Sequence, residues 1–335
     1  MERRARIADV ARAAGVSTAT VSRTMTDPAK VGAETRSRVL RAVAETGYRA
    51  NGAARDLRQR RARVITMVVP NLANTFFSRI IASVQEVAGA AGLAVHVVDS
   101  LVEGERLATL GLDGRTDGIL LLDGSFDTEI VRRWAVPVVM VCEWNDALDL
   151  PAVGTDNEGG MDLIVDHLAD LEHRRIAWLG GPSGNVLSAA RETGFRKALA
   201  RHGLELRRED GLPGDFTMES GARAARLWAA TPGRAGAVAC ASDESALGFI
   251  SECDRMGIAC PRDVSVTGFD DIGFSDRFIP PLTTVHQPRA ALGRRAAGLL
   301  VATLTEGVAH TARRRMLPSR LVVRGSTAPF TRARS

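Results

Sequence analysis

No stretch of this chain approaches the ~18 consecutive apolar residues that cross a bilayer. The longest apolar runs, such as residues 137–142, suit buried strands instead. The opening MERRARIADVARAAG is basic and has no apolar core segment, so no secretory signal is expected. Cysteine is scarce. Cys142, Cys240, Cys253 and Cys260 lie far apart with no Cys-x-x-Cys pair, which argues for reduced thiols and a cytoplasmic chain. Lysine is nearly missing, two residues against 42 arginines, a skew ascribed to genome base composition and given no mechanistic weight.

The signatures of catalysis are missing too. GGPSGN (180–185) follows an apolar run but lacks the Gly-Lys-Ser/Thr ending of a phosphate-binding loop, and reads as a turn at a cleft rim. The six histidines include no pair at metal-ligand spacing, and there is no Gly-x-Ser-x-Gly elbow. Asp270-Asp271 could suggest acid/base work, but at a strand end one reads better as a ligand acceptor and the other as a cap. No enzyme, metal or cofactor is expected.

What is present is an uneven distribution of charge. The 335 residues suggest about two domains at roughly 150 residues each. Residues 1–63 carry 15 basic and 6 acidic side chains, whereas 64–335 carry 29 basic and 33 acidic. A cationic head therefore sits on a mildly acidic body, and a head of that sign suits a polyanion. Its order is helical. Ile7, Val10, Ala11 and Ala14 share one helical face, and Gly15 ends the helix. Ser17 caps a second helix with Val21 inward. A third spans 33–46, with Val39, Leu40 and Val43 inward, and ends at Gly47. Helix, tight turn, helix and supporting helix is the helix-turn-helix plan, whose second helix enters the major groove.

Beyond Arg63 short apolar strands alternate with helical stretches. Strands are predicted at 64–69, 93–99, 118–122 and 137–142, then at 175–180, 237–242, 264–269 and 283–287, with helices near 76–91, 158–171, 189–202 and 244–256. This rhythm predicts parallel sheets covered on both faces, arranged as two doubly wound lobes with a ligand crevice at the strand ends. The fold class is a small all-α head plus an α/β body. Its segments are a head at 1–50, a hinge at 51–63 and a body at 64–335. Lobe 1 takes about 64–157 and 289–318, and lobe 2 about 158–288 and 319–330.

IADVARAAGVSTATVSR, V-x-x-E-T-R-x-x-V and GYRANGAARDL resemble the lactose-repressor/galactose-repressor (LacI/GalR) family of bacterial transcription regulators. The likeness continues through NLANTFFSRII, TDGILLL, TDNEGG, RETGFRKAL, GDFTMESG, DVSVTGFDD and PLTTVHQP, in order and over nearly the whole chain. It implies a periplasmic sugar-binding-protein fold in the body, with three crossings between lobes. By position Thr18, Ala19 and Arg23 are the base readers. Arg23 offers a fork for guanine and Ala19 a methyl for thymine, while Ser17, Thr20 and Ser22 suit phosphates. Asn51, Arg55, Leu57 and Arg58 match the hinge, where Leu57 takes the place of a minor-groove wedge and the arginines flank it. Ala50 stands where proline is usual and Gly52 weakens a helix, so the hinge is expected to order only on DNA.

In the body the resemblance makes Arg191 and Asp270 a polar clamp on an effector, with Phe77 beside Phe76, and Phe216, as aromatic walls. Asp156 and Asp243 read equally as contacts or helix caps, and Trp144 as a stacking ring or a structural tryptophan. Thr75 stands where proline usually precedes the aromatic pair, and the 101–115 segment is shorter and richer in glycine than usual. The implied partners are a near-palindromic double-stranded DNA operator, a small-molecule effector of sugar or polyhydroxylated type, and a second copy of the chain. No membrane contact is implied. The tail GSTAPFTRARS has no leucine heptad, so a dimer without a tetramerising tail is expected. The alternative, a transport-type solute-binding protein, would have a signal peptide and no basic head.

Overall fold

A computed structural model describes residues 5–48, 61–307 and 314–330. Two compact units emerge, Met1–Ala62 and Arg63–Ser335. In the first, α1 (Ile7–Ala14), α2 (Thr18–Thr26) and α3 (Ala33–Thr46) pack around Val10, Ala11, Ala14, Val21, Val39 and Ala42. Gly15 stops α1 at φ 64°, a left-handed value that favours glycine. Ser17 Oγ accepts the Thr20 amide at 3.1 Å and starts α2.

One inward assignment is corrected here. Leu40 is 50% exposed, and Ala42 fills the core instead. Each residue turns the helix by about 100°, so Val39, Ala42 and Val43 share a face that Leu40 cannot join.

The second unit holds two six-stranded sheets. The first runs β11 (Arg314–Leu317), β5 (Ala152–Thr155), β4 (Val138–Val141), β3 (Gly118–Leu121), β1 (Val64–Val69) and β2 (Ala94–Asp99). The second runs β12 (Arg320–Val322), β10 (Thr283–His286), β9 (Ser265–Asp270), β8 (Ala237–Cys240), β6 (Ile176–Leu179) and β7 (Gly211–Leu212). Every pairing is parallel except β10 with β12. The central strands are buried on both faces, the cause of their unbroken apolar sequences.

Helices cover the sheets: α4 (Ser78–Ala90), α5 (Thr128–Arg133) and α10 (Arg289–Glu306) on the first, and α6 (Asn157–Asp170), α7 (Val186–Arg201), α8 (Met218–Ala230) and α9 (Asp243–Arg255) on the second. Glycine lets two helix pairs meet closely. A Cβ on Gly293 of α10 would lie 2.7 Å from the Ile80 carbonyl of α4, and one on Gly248 of α9 would lie 2.0 Å from the Met218 carbonyl of α8. The chain passes between the sheets after β5, after β10 and between β11 and β12. In the 101–115 segment only a turn of helix, Ser100–Glu103, and a 3-10 stretch, Gly104–Thr109, precede β3. The sequence rhythm missed β5, β7, β11, β12, α5, α8 and α10; β7 and β12 have only two and three residues and α5 only six, too few to show a period.

Candidate functional sites on the head helix and between the lobes

On α2 the residues expected to read bases stand outward. Ser17, Thr18, Ala19 and Arg23 are exposed, whereas Thr20 and Ser22 are half-buried. The inward face holds Val21 and Thr24, so the helix has one packed side and one free side. Ser17 and Thr20 already share a hydroxyl contact at 2.9 Å that closes the cap. Arg23 makes no ion pair among the described residues, leaving its whole guanidinium fork for an acceptor. Asn51, Arg55, Leu57 and Arg58 lie outside the described residues.

Between the lobes, strand ends of both sheets bring polar groups together. Arg191, on α7, is 2% exposed. Its Nε donates to Asn157 Oδ1 at 2.8 Å and Nη1 to the Ala241 carbonyl at 2.5 Å. Nη2 stands 3.8 Å from Asp270 Oδ1. The guanidinium also lies over the Phe269 ring, 4.0 Å from its centroid, and 5.5 Å from that of Phe216. Burial pushes the Arg191 pKa down, and Asp270 and Glu143 pull it back up. Asp270 accepts from Gln287 Nε2 at 2.6 Å. Burial raises its pKa to about 7, against the opposing pull of Arg191. The clamp pair is thus adjacent and desolvated.

The loop that presents Asp270 is strained and over-determined. Asp270 and Asp271 hold φ of 130° and 54°, a left-handed pair without glycine. Asp243 lies beneath them, wholly buried, accepting from the Ile272 amide at 2.9 Å, Ser275 Oγ at 2.6 Å and Thr284 Oγ1 at 2.5 Å. Arg324 and His286 bond the Asp271 carboxylate, and Arg289 bonds its carbonyl at 2.6 Å. Asp243 therefore supports the loop and has no free oxygen to offer a ligand. Ser242, its neighbour, is the cap of α9.

The other cleft residues named from the sequence have these places. Asp156 is exposed and caps α6, accepting the Gly159 amide at 2.9 Å, whereas its buried neighbour Asn157 holds Arg191. Trp144 packs against the lobe 1 core beside Leu148 and Leu150, and the Arg314 guanidinium covers its ring at 4.3 Å. It is structural. Phe76 and Phe77 meet edge to face at 5.3 Å and are 6% and 8% exposed, so they plug the lobe 1 core more than they line an open wall. Phe216 keeps its place near Arg191, its ring lying where a Cβ on Gly181 would clash at 2.2 Å.

Several cleft residues were not singled out from sequence: Glu143, Asn157, Asn185, Gln287 and Arg289. Glu143 accepts from the Gly124 amide at 2.8 Å and from Asn185 Nδ2 at 2.7 Å, tying lobe 1 to lobe 2, and burial raises its pKa. Asn157 and Gln287 lie inside TDNEGG and TTVHQP, strings already marked by resemblance. Their polar side chains beside a crossing were the available signal.

Comparison with known proteins places both parts of the chain in one family. Residues 6–51 match the lacI family of bacterial regulatory proteins, and 165–327 match a periplasmic binding protein-like domain. The chain is 36% identical over 332 residues to the HTH-type transcriptional repressor CytR of Escherichia coli strain K12, covering 97% of each protein. Its fold superimposes on the lac repressor dimer bound to operator and the anti-inducer ONPF with a TM-score of 0.86 at 28% identity, covering 97% of this chain and 100% of that one. A transcriptional regulator CelR–cellobiose complex gives 0.74 at 32% identity, covering 96% and 100%. With a helix-turn-helix head, a two-lobed α/β body and relatives of this similarity along its whole length, the chain belongs to the LacI family of bacterial transcriptional regulators.

Proposed function

We propose that this protein is a cytoplasmic, homodimeric repressor whose grip on a near-palindromic DNA operator is set by a polyhydroxylated small molecule, such as a sugar, bound between the lobes. Residues 1–50 read DNA, 51–63 form the hinge that carries Leu57, and 64–335 bind the effector and the second copy. The observation that carries this reading is the buried clamp. Arg191 spends two donors on Asn157 and Ala241, which leaves Nη2 beside Asp270, an acceptor, at 3.8 Å. A donor and an acceptor at that spacing match the two faces of a hydroxyl pair.

Two heads need two half-sites about a helical turn or more apart, hence the dimer. Exposed Leu72, Leu101 and Val102 cluster at the end of edge strand β2 and give the body an apolar face for that pairing. Among the described residues no helix is long and apolar enough to cross a membrane. An effector that prefers one lobe arrangement changes operator affinity by a reciprocal factor, typically about 1–3 kcal/mol.

A thermal-shift screen of the full chain against a carbohydrate panel tests the effector. A binding sugar raises Tm in the parent and leaves Arg191→Lys unmoved. No shift from any polyol, or an equal shift in the variant, would refute the clamp.

A further inference from the structure

We propose that Thr75 and Glu244 are positioning residues, a clasp across the cleft mouth that pins the Phe76–Phe77 loop of lobe 1 to the start of α9 on lobe 2. The Thr75 amide and hydroxyl both donate to Glu244 Oε1, at 3.0 and 2.8 Å, from residues 169 positions apart. Two donors of one residue converge on a single oxygen of the other lobe.

Thr75 opens the short 3-10 turn Thr75–Phe77, whose start is fixed by Asn74 accepting the Phe76 amide at 2.8 Å. Glu244 sits next to Asp243, which supports the loop of Asp270. The clasp therefore joins the aromatic loop to the clamp loop. Arg289 makes a second, buried connection, donating to the Phe76 carbonyl at 3.4 Å and the Asp271 carbonyl at 2.6 Å.

The clasp differs from the other ties in its exposure. Thr75 is exposed and Glu244 half-buried, so water competes for both bonds, whereas the Asn185–Glu143 tie and Arg289 are shielded. It is the tie that opens first, and its opening releases Thr75 at the start of the turn while Arg289 still holds the Phe76 carbonyl and the lobes stay joined. Family resemblance would put proline at position 75. Proline has neither N–H nor hydroxyl, so the clasp belongs to this sequence. It controls how readily the mouth admits and releases a ligand, which rests on the cleft being the ligand site.

Amide exchange on the full-length, ligand-free chain tests the clasp. Glu244→Ala is expected to speed exchange of the Thr75 amide at least tenfold and leave the amides of β1 unchanged. Glu244→Gln, which keeps an oxygen acceptor, retains most of the protection, and so does Thr75→Ser. Unchanged Thr75 exchange in Glu244→Ala would overturn the clasp, as would equal acceleration in both Glu244 variants. Should Glu244→Ala fail to fold, Thr75→Pro serves instead. Faster exchange at Phe76 and Phe77 then supports the clasp, and parental rates overturn it. No ligand enters this test, so the clasp and the effector reading can fail separately.

Discussion

Arg23 and Arg191 are the two arginines on which the functional reading turns, and the molecule treats them in opposite ways. Arg23 projects from α2 into solvent with no ion pair among the described residues, whereas Arg191 is buried and bonded on two nitrogens before any ligand arrives. The head holds its chemistry outward on a small helical scaffold, because DNA is large and comes to the surface. The cleft holds its chemistry inward and organised in advance, because a small ligand must be gripped away from water. Substitutions in the head should therefore change recognition and spare the fold, whereas substitutions in the clamp should harm both.

The largest effect is expected for Arg191→Ala. It strips Asn157 and the Ala241 carbonyl of their buried donor and, above about pH 7, leaves the Asp270 carboxylate without its counter-charge, and should cost about 3–5 kcal/mol in urea unfolding of the body at pH 8. A loss as small as that of an exposed arginine would break the contrast.

A pH effect comes next. Because the Asp270 pKa is raised to about 7 in the folded chain, the native state keeps a proton that the unfolded chain loses near pH 4. Stability should fall as pH rises across that window, by at most about 1.4 kcal/mol per pH unit, and Asp270→Asn should flatten the slope. A slope unchanged by the substitution would remove Asp270 from this role, since Glu143, whose pKa burial also raises, accounts for only a part of it. Arg23→Ala should relax preference at one base pair per half-site by about 1–3 kcal/mol and leave head unfolding unchanged. Binding measured on single-base operator variants checks this, and uniform weakening would mean a phosphate contact. The smallest effect is Ser17→Ala, about 1 kcal/mol of head stability through the lost cap. A neutral result in head unfolding would show that the Ser17 cap is dispensable.

The same contrast explains what could be read from sequence. Surface motifs are local. Ser17, Thr18, Ala19 and Arg23 lie within seven residues, so one short string carried the whole likeness from which their places were taken. The strand rhythm of the lobes was legible for the same reason. The cleft is assembled from residues far apart, and there sequence gave types without partners. Arg191 and Asp270 were found through resemblance, and the structure brings them together. Asp156 and Asp243 had the right chemistry, but Asp156 caps α6 through one oxygen and both oxygens of Asp243 are engaged in supporting a buried loop. Trp144 read as either a stacking ring or a structural tryptophan, and Arg314 of β11 lies over its ring. Thr75 registered only as a departure from proline, and its value depends on Glu244, a residue of the opposite lobe.

The most direct test of the account is selection of fragmented genomic DNA by the full-length protein at modest salt, run in parallel with Arg23→Ala. The account predicts that the parent enriches a near-palindromic sequence with two half-sites, and that the variant loses preference at one symmetric pair of positions. Recovery of unenriched DNA by the parent, or the same enriched sequence from both proteins, would contradict it.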